Sequence, residues 1–168
     1  MIIAFDTYYL EDSAYTICIC FEDWTSEHIL HVYSETLNGV EEYVPGEFYK
    51  RELPCILSLI SQIDLSDVKF IVVDGFVYLD DHKKKGLGGY LYEALNSTIP
   101  VIGVAKTDFA SLVENKSPLL RGESQKPLFI TSIGIDLNEA GKYVKSMFGE
   151  FRFPKLLKDL DSLTKVNK

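Results

Sequence analysis

The sequence has no apolar run near the roughly 18–20 residues that a membrane-crossing helix needs. Its longest such stretches resemble Phe70-Ile71-Val72-Val73, and a spanning helix is excluded. It has no internal repeat, no low-complexity tract and no Pro/Gly-rich linker, which argues for one domain over residues 1–168. Cysteine is scarce: Cys18, Cys20 and Cys55 form an odd set without metal-site spacing. Buried, reduced thiols in a cytoplasmic protein are the reading that fits. The chain opens on a strand-like Ile2-Ile3-Ala4-Phe5, so no secretory signal is expected. What is present is the balance of a folded globule: 168 residues, 46% apolar and 25% charged.

Basic residues are nearly missing from the first half. Residues 1–81 carry 16 Asp/Glu against 3 Lys/Arg, whereas residues 82–168 carry 9 against 14. The net charge of −8 therefore hides an acidic half and a basic one. A metal-collecting face beside a phosphate-tracking one would have this distribution, and so would an ordinary solvated surface.

The hydrophobic pattern predicts a strand over 2–6, β-rich runs over 14–21 and 28–34, then a helix over 52–63 with apolar residues at helical spacing. Further strands are predicted over 69–73, 100–104 and 128–132. Helices are predicted over 86–96, 138–148 and 154–164, with Asn138 as a candidate N-cap. Three strands in succession, then strands alternating with helices, imply an α/β domain whose mixed sheet is antiparallel first and parallel after.

Asp6 and Asp74 each end a short apolar run, so in this plan they stand at the carboxyl ends of buried strands. Glu52 opens the helix after the meander. Carboxylates converging there could hold Mg²⁺, which takes one or two carboxylates plus waters and phosphate oxygens. Acids at strand ends and helix starts also serve as plain turn and cap residues. Lys106, just past the strand ending at Val104, lands at the same edge, where its ammonium can meet a phosphate or simply face solvent. Tyr43-Val44-Pro45-Gly46 is a turn whose apolar tip could wedge into a base stack or pack back on the body.

These segments resemble the endonuclease V family. Tyr43-Val44-Pro45-Gly46 followed by Phe48-Tyr49-Lys50-Arg51-Glu52-Leu53-Pro54 is similar to its signature run, and Val72-Val73-Asp74-Gly75 to its Val-Asp-Gly step. Pro100-Val101-Ile102-Gly103-Val104-Ala105-Lys106 and the closing Arg152-Phe153-Pro154-Lys155-Leu156-Leu157 fit in the same order. The resemblance implies a ribonuclease H-like fold and Mg²⁺-dependent cleavage of DNA or RNA (Mn²⁺ as an alternative), one nucleotide 3′ of a deaminated base, inosine. It makes Asp6, Glu52 and Asp74 metal ligands and Lys106 a phosphate-side cation. Tyr43, Val44 and Pro45 become a strand-separating wedge, and the Gly75 and Gly103 segments line a base pocket.

Three departures stand out. Val77 replaces a family glycine, Asp80-Asp81-His82 replaces a His-Pro-Arg step, and Ile135 stands where the family has the histidine of Ser-Pro-Gly-His-Arg. That histidine is expected to position the attacking water, with His82 as a stand-in. Its loss leaves two other readings open: a nucleic-acid-binding module with weak or no cleavage, and an interaction protein with a vestigial acidic cleft.

Overall fold

Alternation along the first strand sets the layering: Ile2 and Ala4 face one side of the sheet, Ile3 and Phe5 the other, and all four are buried. The computed structural model describes residues 1–40, 42–45 and 47–165, with Phe48 by its backbone alone. Within these, the strands are β1 (Ile2–Tyr9), β2 (Ser13–Phe21), β3 (His31–Asn38), β4 (Phe70–Asp74), β5 (Val101–Ala105), β6 (Ser117–Leu119) and β7 (Leu128–Ile133). The helices are α1 (Phe48–Ile60), α2 (Leu87–Ala94), α3 (Leu137–Ser146) and α4 (Lys155–Thr164). One sheet joins the strands in the order β3-β2-β1-β4-β5-β7-β6. Helices α1 and α2 cover the face of Ile3 and Phe5, while α3 and α4 cover the face of Ile2 and Ala4. This is the mixed α/β sheet expected from the pattern, in the ribonuclease H-like form that the resemblance implied.

Several local expectations are corrected. β1 runs on to Tyr9 because its antiparallel pairing with β2 continues to Tyr9↔Ala14, although its parallel pairing with β4 stops at Phe5↔Val73. β3 starts at His31, where its pairing with Cys20 of β2 begins, after a turn in which the Asp23 carboxylate accepts the Thr25 N–H and hydroxyl. β7 is antiparallel to β5, not parallel, and it forms a hairpin with the three-residue β6. Helix α1 begins a full turn before Glu52. Pro54 sits inside this helix. The cap of α3 is Asp136, which accepts from the Asn138 and Glu139 N–H groups at 3.1 and 3.2 Å, so Asn138 lies inside the helix. The three cysteines are free and buried. No helix among the described residues is long and apolar enough to cross a membrane.

Candidate active site

The last parallel pair, Phe5↔Val73, places the next residues, Asp6 and Asp74, side by side on neighbouring strands. The two-residue period puts both on the face of Ala4 and Val72, beneath α4. There they line a narrow cleft of about 20 Å³ with Lys106, Phe153, Leu160 and Asp161, room for one ion or water. Burial, then the Asp74 charge, pushes Asp6 from its ordinary 3.8 up to about 7. Burial also raises Asp74, against the pull of Lys106.

Glu52 reaches this edge from the opposite face. It is 2% exposed at the α1 side, beside the Thr7 hydroxyl. Burial, then Asp74 and Asp6, hold its pKa well above the carboxylate range. The neighbouring Arg51 guanidinium lies 3.5 Å above the Tyr9 ring centroid. Among the described residues no three His, Cys, Asp or Glu side chains are grouped closely enough to hold one ion. Asp6 and Asp74 are the adjacent pair, and Glu52 comes within electrostatic reach of both from the α1 side. Two adjacent, mutually repelling carboxylates with only oxygen donors still fit a hard divalent cation completed by waters and substrate oxygens.

Lys106 follows β5, its Nζ 4.3 Å from the Phe153 ring centroid and 4.0 Å from Asp161 Oδ1. Asp161 also pairs with Lys165 at 2.7 Å. Burial would raise Asp161, but Lys165 and Lys106 together leave it below the usual range. The sequence reading missed this fourth carboxylate. Its signal was an acid four residues after the core residue Leu157, on the buried side of an amphipathic helix.

The tip at 42–45 carries Tyr43 and Val44 about half exposed, and Pro45 is exposed as well; Gly46 lies outside the described residues. Tyr43 also borders an apolar pocket of about 190 Å³ with Tyr49, Gly75, Phe76, Leu87 and Phe109. Gly75, at φ +121°, makes the turn out of β4 that forms its wall. Gly103 lies directly behind the Gly75 wall of that pocket. A Cβ there would meet the Gly75 carbonyl oxygen at 2.5 Å and Thr131 Oγ1 at 2.6 Å. Its missing side chain lets the 75–77 loop lie on the sheet, where Thr131 Oγ1 accepts the Val77 N–H at 2.8 Å. Gly103→Ala must push backbone aside, and a loss of about 1–3 kcal/mol in urea unfolding is expected. An unchanged midpoint would refute this spacer role.

The expected positions of Ile135 and His82 are also corrected. Antiparallel pairing sets Ile133 against Val101, the first residue of β5, while Asp74 pairs with Val104. Three residues of strand, about 10 Å, already separate those levels, and Ile135 lies beyond. It borders a separate pocket with Tyr78, Lys83, Asn115 and Leu137, so a histidine there would not face the acidic cleft. His82 is exposed and does not line the cleft either. The Asp81 carboxylate beside it accepts the Val113, Glu114 and Asn115 N–H groups, a loop anchor.

A ribonuclease H-like sheet with an acidic cleft at the ends of its central parallel strands defines the class of this protein. The endonuclease V family model matches residues 1–161. The chain belongs to the endonuclease V family. Its fold is similar to human ENDOV, with a TM-score of 0.77 and 20% identity over 99% of this chain and 83% of that one. It is also similar to the Streptomyces avermitilis endonuclease V, at TM-score 0.74 and 20% identity over 98% and 79%. The Ciona intestinalis endonuclease V, in complex with a 24mer DNA containing an inosine followed by a ribo-adenosine, gives TM-score 0.76 and 15% identity over 99% and 84%. No curated protein sequence matches the chain.

Proposed function

We propose that this chain is a metal-dependent endonuclease that hydrolyses a phosphodiester near a deaminated base, inosine, in DNA or RNA, one nucleotide to its 3′ side. The observation that carries the reading is the pairing of Asp6 with Asp74 at the ends of adjacent parallel strands, facing Lys106 across one cleft. Asp6 and Asp74 would hold Mg²⁺ or Mn²⁺, with Glu52 as a further acidic ligand from the α1 side. When bound, the ion supplies Lewis acidity and a more acidic water. Lys106 neutralises phosphate charge, and its ammonium lies over the Phe153 ring. Asp161, paired with Lys165 and near Lys106, keeps that ammonium at the mouth of the cleft. The pocket bordered by Tyr43, Phe76 and Phe109 receives the extruded base by stacking. Tyr43, Val44 and Pro45 fill the gap it leaves.

The test is incubation with labelled inosine-containing single and double strands under Mg²⁺, Mn²⁺ or chelator. Metal-dependent nicking beside inosine is expected, and intact strands under every metal condition would sink the reading. Replacing Tyr43, Val44 and Pro45 by Gly or Ser should weaken cleavage of duplex more than of single strand, since unstacking costs a few kcal/mol only where a stack exists. Equal loss on both would instead mark a packing role for the tip.

A further inference from the structure

The loop joining α3 to α4 displays an aromatic side chain that the cleft does not use. Phe151 is 79% exposed, and Phe148 beside it 43%. A loop of this kind would ordinarily fold such residues inward, but its backbone is held open from beneath. Arg121, only 6% exposed, donates from Nη1 to the Phe151 carbonyl at 2.6 Å, and from Nη2 to the Met147 and Gly149 carbonyls at 2.5 and 3.1 Å. Its hydrogen-bond partners are backbone oxygens; none is a carboxylate. Arg152 grips from the other side, donating to the Lys106, Pro127 and Lys126 carbonyls at 2.5, 2.8 and 3.0 Å. The result is a rigid frame with Phe151 standing out from it.

Phe151 borders an open groove of about 720 Å³ that also takes in Phe148, Phe153, Lys155 and Lys158. Phe153 is shared with the acidic cleft, and it carries the Lys106 ammonium over its ring. Groove and cleft are therefore neighbours that share Phe153 as a wall. Arg152, Lys155 and Lys158 line the groove with Glu150 and Asp159. The Lys155 ammonium is paired with Asp159 at 2.9 Å and donates to the Glu27 carbonyl at 3.1 Å, so a phosphate there would compete with Asp159 for Lys155 and meet Lys158 beside it.

We propose that this groove is a platform for single-stranded nucleic acid: the strand leaving the cleft lays one base on Phe151 while Lys155 and Lys158 face its phosphates. The platform rests on the reading of the cleft as a nuclease site. An aromatic face beside cations is the general means of holding a strand irrespective of sequence, because every base has a stackable face. A rigid presentation lowers the ordering cost of that contact.

The experiment uses the full chain with chelator present, so that no cleavage intervenes, and fluorescein-labelled dT12 as probe. Phe151→Ala should weaken binding about tenfold by anisotropy, equivalent to about 1.4 kcal/mol, within the range for one stacked base. Phe151→Leu should behave like Phe151→Ala, because apolar bulk without a ring does not stack. The only tryptophan, Trp24, is 7% exposed, so Phe151→Trp adds a reporter whose emission dT12 should quench. Unchanged affinity in Phe151→Ala and unquenched Phe151→Trp, with metal-dependent cleavage intact, would overturn the platform alone. A wild-type dimer that dissociates in Phe151→Ala at unchanged dT12 affinity would also overturn it, in favour of a contact between copies. Failure of the wild type both to bind dT12 and to cut would remove the nuclease reading together with it.

Discussion

Asp74→Ala is expected to abolish metal-dependent cleavage while the protein stays folded and still binds nucleic acid. Asp74 ends β4 beside Asp6, and in the proposed site the two carboxylates share the cation. Removing one takes away half of that shared hold, so the ion binds more weakly and no longer sits where the attacked phosphate needs it. What is lost is several kcal/mol of charge stabilisation, which at about 1.4 kcal/mol per decade is on the order of 10³-fold or more in rate. Gel-based cleavage of inosine-containing strands, with anisotropy run in parallel, separates the two effects. Cleavage within about tenfold of wild type would show that Asp74 does not belong to the machinery. Loss of cleavage and binding together, with a lowered thermal midpoint, would mark it as structural.

The second large effect is on stability, and its sign depends on pH. Burial, then Asp74, raises Asp6 from 3.8 to about 7, so the folded chain holds a proton that the unfolded chain releases. That contribution is fully present below about pH 4 and is lost as pH rises through about 7. Three units correspond to about 4 kcal/mol at most. The metal-free protein should therefore be markedly less stable at pH 8 than at pH 5, apart from other titrations. Asp6→Asn cannot ionise. It should raise the thermal midpoint at pH 8 by several degrees, since each kcal/mol shifts a domain of this size by about 2–4 °C. The gain should vanish near pH 4, and Mg²⁺ should stabilise the wild type but not the variant. Calorimetry at both pH values decides the matter: equal midpoints for both proteins at pH 8 would mean that Asp6 is not under this strain. Such a cleft trades stability for a place where positive charge is welcome.

The acids at risk in these experiments could be named from the chain alone, because the signal is local. A buried strand shows as an apolar run, and an acid ending that run stands at its edge. Asp6, Asp74 and Lys106 were placed at one edge on that ground. Their order with the Tyr43–Pro45 turn and Glu52 carried the family resemblance.

Other features depend on contacts between distant segments. Glu52 approaches Asp6 and Asp74 from the α1 side because α1 packs on the face of Ile3 and Phe5, and nothing near residue 52 specifies which face its helix takes. Ile135 is carried away from the cleft because β7 runs antiparallel to β5, a direction decided by pairing partners and not by the residues of β7 itself. Asp161 joins the cleft only when α4 closes over β1. Gly103 is a spacer because a loop from elsewhere must lie on it. The sequence by itself determined the elements, the layering and which residues end the central strands, since periodicity and turn chemistry act over a few residues. Strand direction, the face each helix covers and the partners of each charge were decided by tertiary structure, because they follow from burying distant apolar surfaces against one another.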